Sequence, residues 1–439
     1  MKAFLLAGTH SGVGKTTISM GLMKIFSRKY QVSPFKVGPD YIDPSFHAWV
    51  TGNFSYNLDY FMMGKQGVQY SFQSHQKDFS IVEGVMGLYD GIDHSLDNAS
   101  AAHISRILDL PVILIVDAQG KSTSIAAQVL GYQKLDERVK IAGVIINQVN
   151  SEKSYIHCKE AIERYTKIPC LGYVKKEEQL RISSRHLGLL QANEVKDLDE
   201  KLETLADMIE QTIDIKRIED IAERQEKSET IFHPLEKYQN YWRGRKIGIA
   251  RDEAFRFYYQ DNLESLEYLG FEVEYFSPIH DSQLPEKVDY LYFGGGYPEI
   301  FSEGLEKNKK MREEIQKFTG GIYAECGGFM YLGKEIIQLS EEKLQMCALL
   351  PVSTKMKNRL NISRFGYISL EENGIEIAKA HEFHYSDLEN MEKDTRVLIA
   401  RKIDGRSWSC IFEKEGRIYA GYPHIHFFNS IEFLKKIWR

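Results

Sequence analysis

The chain has 439 residues, 43% of them hydrophobic and 27% charged, which suits two or three compact domains with sizeable cores. Its 56 basic and 62 acidic side chains leave a formal charge of −6 with both signs interspersed, so no basic face points to nucleic acid and no polybasic stretch to a membrane surface. The longest apolar run, Pro111–Val116 with Leu110 before it, falls far short of the ~20 residues a bilayer requires, and the opening MKAFLLAGTH lacks the apolar length and cleavage site of a signal peptide.

In chain order, short β-rich runs occur at Ala3–Leu6, Phe35–Val37, Ser80–Val82, Val112–Val116, Val144–Ile146 and Leu171–Val174. Helical-period stretches such as Thr16–Phe26 and Ala99–Leu108 separate them. Buried strands of this length alternating with helices predict an α/β domain on a mainly parallel sheet. From about Asp197 the texture changes to a charged helical stretch ending near Glu226, then a polar segment running to Arg245. A second α/β series follows at Lys246–Ala250, Glu272–Phe276, Tyr290–Phe293 and Gly321–Ala324. Beyond it lie candidate strands at Gly366–Leu370, Arg396–Ala400 and Arg417–Ala420, and a closing amphipathic helix over Ser430–Trp438. The expected division is a domain over 1–200, a connection over 201–244 and a second domain over 245–439.

The segment GTHSGVGKTT, Gly8–Thr17, follows the first apolar strand and opens a helix, the context a phosphate-binding loop needs. Glycines such as Gly12 and Gly14, with Val13 between them, let backbone N–H groups curl around phosphate oxygens. Lys15 supplies a charge to the β/γ-phosphates, the Thr16 hydroxyl is placed to ligate Mg²⁺, and Thr17 completes the ATP-binding set. His10 stands where partition-type ATPases carry a second lysine, so the loop resembles the dethiobiotin synthetase branch instead. Glu83 and Asp117 end apolar strands, where carboxylates suit a Mg²⁺ contact. Asn147, ending GVIINQ, is placed to read a purine edge.

Five cysteines, at 158, 170, 326, 347 and 410, include no CxxC pair, which argues against a disulfide framework or a zinc site. Cys326 is singular. In GIYAECGGFMYL it sits at a sharp strand-to-helix turn before a glycine pair, the form of a nucleophile elbow with a thiolate supported by a helix N-terminus. The Gly327 N–H and one from Gly295 or Gly296 in LYFGGGYPE would hold an oxyanion. His424 in AGYPHIHFF is the candidate base, with His426 as an orienting group. HEFHY (His381–Tyr385) has i,i+3 spacing and so lacks the i,i+4 zinc-protease arrangement.

Taken together, GTHSGVGKTT, FKVGPDYIDPSFH, NLDYFM, VEGVMGLYDG, PVILIVDAQG, RHLGLLQANE, IARDEAFRFYYQDNLESL, GGGYPEI, YAECGGFMYL, HEFHYS and HIHF resemble, in order, the cobyrinate a,c-diamide synthase family. The resemblance implies a dethiobiotin-synthetase-like P-loop domain followed by a class I glutamine amidotransferase-like α/β domain. It implies amidation of the a- and c-acetate groups of a tetrapyrrole, cobyrinate, with ATP and L-glutamine as co-substrates and Mg²⁺ as cofactor, in the cytoplasm. Asp40, Tyr41, Asp43, Glu83 and Asp90 would then lie around the tetrapyrrole and metal, with Lys36 as local counter-charge. A homodimer is compatible with this reading; nucleic-acid and membrane partners are not expected. Two alternatives stay open at this level: a Ni-sirohydrochlorin a,c-diamide synthase, and a P-loop partition or switch ATPase with a degenerate amidotransferase module.

Overall fold

A computed structural model describes residues 1–176, 197–223, 230–389, 391 and 395–439. The expected motif RHLGLLQANE lies outside the described residues. The chain forms two compact units, one comprising Met1–Tyr60 and Gly64–Phe232, the other Phe61–Met63 and His233–Arg439.

The first unit is built on seven strands: β1 (Lys2–Gly8), β2 (Val32–Val37), β3 (Tyr56–Leu58), β4 (Phe79–Glu83), β5 (Val112–Asp117), β6 (Ile141–Val149) and β7 (Cys170–Lys175). They lie in the order β3-β2-β4-β1-β5-β6-β7, and every pairing is parallel. Strands covered on both faces need no polar alternation, which is why VILIV and FSIV read as continuous apolar runs. β2 to β4 lie on one side of β1 and β5 to β7 on the other, so the loop after β1 opens at a topological switch point, where ligands bind in such sheets. The sheet and helix Lys15–Ser27 share a core in which Phe26 stacks on Phe79 at 4.1 Å.

Helices Leu198–Thr212 and Ile215–Ile221 account for the charged helical stretch. Their apolar faces, including Leu202, Leu205, Ile209 and Ile218, pack into this same core. Part of the expected connection over 201–244 thus belongs to the first unit.

In the second unit, β8 (Lys246–Ala250), β9 (Glu272–Phe276), β10 (Tyr290–Phe293) and β11 (Gly321–Glu325) are parallel, and Ile418–Gly421 extends them beside β11. The same sheet continues antiparallel through Ser407–Lys414, Arg396–Arg401, Gly366–Glu372, Ile375–Glu382 and His424–Ile425. The strand-rich texture after Cys326 therefore marks the antiparallel half of a ten-stranded mixed sheet, with a separate four-stranded sheet beside it in the sequence. All five cysteines are buried free thiols. Among the described residues, no helix is long and apolar enough to cross a membrane.

Candidate active sites

The P-loop depends on backbone conformations that only small residues adopt readily. Gly14 caps helix Lys15–Ser27 at φ 98°, and Gly12 has φ 80°. A Cβ on Gly14 would run into the Asn147 side-chain amide. That amide donates to the Val13 carbonyl at 2.8 Å, and its oxygen accepts the Gln148 N–H at 2.8 Å. Asn147 therefore braces the loop from β6 with both of its polar atoms, an arrangement at odds with a side chain left open to read a purine edge. Gly14→Ala combines a left-handed backbone with this collision and should weaken ATP binding by roughly tenfold or more, measured by nucleotide titration.

Lys15 lies against the loop, its ammonium donating to the carbonyls of His10, at 3.2 Å, and Met86. Burial, then the nearby Lys36, lower its pKa to about 8. Thr17 follows it in the first helical turn, half-buried.

Below the loop, the end of β4 carries Glu83, fully buried and held by four partners. Its Oε1 accepts Thr16 Oγ1 at 2.7 Å and Lys36 Nζ at 2.8 Å. Its Oε2 accepts Ser19 Oγ at 2.5 Å and meets His47 Nε2 at 2.7 Å. Burial alone would raise this carboxyl, but Lys36 and His47 overcome it and hold Glu83 well below the ordinary range. Asp43 joins the cluster, accepting from Lys36 at 2.5 Å and from Thr16 at 3.3 Å. Burial pushes its pKa up to about 7 against the pull of Lys36.

Lys36 itself is 3% exposed, with Asp40 as a third carboxylate at 3.9 Å. Its charge is committed to the protein's own acids, a different use from the expected counter-charge to a substrate. Thr16, Glu83 and Asp43 nevertheless form a set of hard oxygen donors of the kind Mg²⁺ takes. Asp40 turns the chain into helix Asp43–Thr51 by accepting the Ile42 and Asp43 N–H groups at 2.8 and 3.2 Å. Tyr41, half-buried, lies between them in sequence, while Asp90 is exposed and accepts the Gly87 N–H at 2.9 Å. Asp117 closes a turn onto the Gln119 N–H at 2.7 Å.

The second centre is the elbow. Cys326 has φ 44° and ψ −101°, a strained conformation for a non-glycine residue, between β11 and helix Gly327–Leu332. The Cys326 N–H donates to Gly421 at 2.7 Å, and Sγ lies 3.7 Å from the Phe383 carbonyl. Gly327 lets the elbow close onto the loop after β10, since its Cβ would stand 3.0 Å from Gly296 N and 2.8 Å from Pro298.

Gly295 has its own N–H engaged, donating to Phe257 at 3.2 Å. Of the expected oxyanion donors, Gly296 and Gly327 are those left facing each other at the elbow; Gly295 instead leaves room for His424, whose Cε1 edge fills the place of its Cβ. Burial, then Glu299 and Glu382, raise the Cys326 pKa, and the Gly327 N–H only partly opposes them. Burial thus works against the expected thiolate and increases the need for a base.

His424 is buried, and burial followed by His381 and His384 lowers its pKa to about 3, which favours the neutral ring. Its strand is clamped by Asn262, which donates to the Ile425 carbonyl at 2.7 Å and accepts the Phe427 N–H at 2.8 Å. His426, the expected orienting group, instead faces Asp261 at 3.9 Å.

Two family models match the chain: a CobQ/CobB/MinD/ParA nucleotide binding domain over residues 4–190 and a CobB/CobQ-like glutamine amidotransferase domain over residues 246–431. A cobyrinate a,c-diamide synthase from Fusobacterium nucleatum subsp. nucleatum is 58% identical, with 100% of each chain covered. One from Caldanaerobacter subterraneus subsp. tengcongensis is 41% identical, covering 99% of this chain and 97% of its own. One from Methanocaldococcus jannaschii is 40% identical, covering 97% and 96%. The chain belongs to the cobyrinate a,c-diamide synthase family. As a member it is an enzyme, a glutamine-dependent amidoligase that uses ATP, and the partition or switch reading of the P-loop falls away.

Within this synthase fold, several residues around the two centres were given no site role by the sequence. Ser19 and His47 reach Glu83 from helix positions 64 and 36 residues away. HEFHY, set aside as a zinc motif, lines the elbow: His381 pairs in register with His424, Phe383 supplies the carbonyl at Sγ, and Glu382 bonds His384 at 2.8 Å. Only the inheritance of that segment by the sheet brings it to Cys326.

Proposed function

We propose that the enzyme converts the a- and c-acetate carboxylates of cobyrinate to amides, using ammonia drawn from glutamine at Cys326. The observation that carries this reading is the presence in one chain of a P-loop with an oxygen cluster and a cysteine elbow with a neutral histidine. Relatives matched over their full length and named for cobyrinate support it as the substrate.

At the elbow, Cys326 attacks the glutamine amide carbon while its proton passes to His424. The developing oxyanion is met by the N–H groups of Gly296 and Gly327. As the C–N bond breaks, His424 returns the proton to the leaving nitrogen, giving ammonia and a thioester that water hydrolyses to glutamate. In the first unit, Lys15 and the P-loop N–H groups hold the phosphates of ATP in line with a substrate carboxylate, which becomes an acyl phosphate that ammonia displaces. Mg²⁺, held by Thr16 and Glu83 with Asp43 adjoining, would offset the negative charge of the phosphates. Asp40, Tyr41 and Asp90, on the loops at the same end of the sheet, are assigned to the tetrapyrrole. The cytoplasm is the compartment that supplies ATP and glutamine together.

Substrate identity is tested by supplying cobyrinate and Ni-sirohydrochlorin separately, each with ATP and glutamine. Two amidations of cobyrinate, followed by mass, are expected. Turnover of the nickel compound alone would replace the reading with the Ni-sirohydrochlorin diamide synthase, whose chemistry is the same.

A further inference from the structure

Glu325, the residue immediately before the cysteine, is 1% exposed in the core of the second unit. An ionisable carboxyl there is costly unless its oxygens are filled, and they are. Oε1 accepts Tyr323 Oη at 2.7 Å and the Ile425 N–H at 3.0 Å. Oε2 accepts Tyr292 Oη at 2.9 Å and stands 3.9 Å from His424 Nδ1. The His424 ring thus has two different edges: Nδ1 faces Glu325, and Cε1 with Nε2 faces the Gly295 loop against which the elbow packs. The backbone bond to Ile425, next to His424 in sequence, sets the carboxylate in register with the imidazole.

Once Cys326 gives up its proton, His424 is an imidazolium in a buried site that already holds His381 and His384, both of which disfavour that charge. The nearby Glu382 has Oε1 bonded to His384. We infer that Glu325 is the positioning residue of the glutaminase centre: it orients the Nδ1 edge of His424 and balances the imidazolium formed during thioester formation. This rests on the glutaminase reading of Cys326 and His424. The step needs no further reactant. The S–C bond forms as the thiol proton moves to Nε2, the same proton leaves with the amide nitrogen, and Glu325 keeps its charge throughout.

Burial pushes the Glu325 pKa up to about 7, against the bonds from Tyr323, Ile425 and Tyr292. The ionisable groups around it are Tyr258, Tyr292, Tyr323, Cys326 and His424. Its anionic form is therefore lost as pH falls through about 7, and the rate of glutamine turnover should fall with it, rising again as pH increases through that range.

The test compares the full-length enzyme with Glu325→Gln, Glu325→Asp and Tyr292→Phe, measuring glutaminase kcat and KM and the pH dependence of Cys326 alkylation by 6-diazo-5-oxo-L-norleucine. Glu325→Gln should lower kcat on the order of 10²-fold with KM within about twofold, and abolish the pH-dependent rise in alkylation. Glu325→Asp should restore part of both. Tyr292→Phe removes one donor from the oxygen facing His424, so the rise should move to higher pH.

A Glu325→Gln enzyme with near-normal kcat, or one with reduced kcat and an unaltered pH profile, would overturn the inference. Should Glu325→Gln fail to fold, an unchanged profile in Tyr292→Phe overturns it equally. Wild-type protein that neither hydrolyses glutamine nor takes the label would overturn the glutaminase reading itself, and the inference with it.

Discussion

Cys326→Ser should abolish glutamine-dependent amidation, lowering its rate by about 10³-fold or more, while amidation driven by added ammonium salts persists. The two outcomes separate because the residues doing the two kinds of chemistry belong to different units of the chain. Serine is slightly smaller and keeps the backbone N–H bond to Gly421 but replaces a polarisable nucleophile with a hydroxyl that a neutral, buried His424 activates poorly. Parallel assays of cobyrinate amidation with glutamine and with ammonium chloride measure the effect. Full glutamine-dependent activity in the serine variant would remove Cys326 as the nucleophile.

Lys15→Ala should abolish both routes, with glutamine and with ammonia, by about 10³-fold or more. Among the described residues the adjacent cation, Lys36, is already bound to Asp43 and Glu83 at 2.5 and 2.8 Å and so is not placed to replace the Lys15 charge beside the loop. Glutaminase activity without ATP is the informative control. It should survive in Lys15→Ala and vanish in Cys326→Ser, giving opposite patterns in the two variants. Retained ATP-dependent amidation in Lys15→Ala would show that the loop is not the phosphate site.

These two sites were legible because their chemistry is local. Gly8–Thr17 and Gly321–Leu332 are contiguous segments whose glycines, reactive side chain and following helix appear together in the sequence. His424 was legible for a related reason, as a histidine ending a glycine-flanked strand. For Asn147, strand-end position says nothing about direction, and its amide makes bonds to Val13 and Gln148 that the sequence does not announce. Lys36 reads on paper as a cation beside acids. Only burial shows that those acids, Asp43 and Glu83, are its own partners. Gly295 could be named as an oxyanion donor because nothing in GGGYPE reveals that Phe257, in the loop that follows β8, takes its N–H.

Strand and helix patterning and the order of the motifs determined the two-part α/β architecture and the family, and singled out Cys326 as the candidate nucleophile. Those depend on short-range patterns: strand and helix periodicity, glycine spacing and turn chemistry act within a dozen residues. Tertiary structure decided the surroundings that set reactivity. It buried Cys326 and His424, raising the pKa of one and lowering that of the other, placed Glu325 against the Nδ1 edge, and brought Ser19, Lys36 and His47 onto Glu83. Desolvation and charge pairing depend on which distant segments share one interior, and only the folded chain brings those segments together.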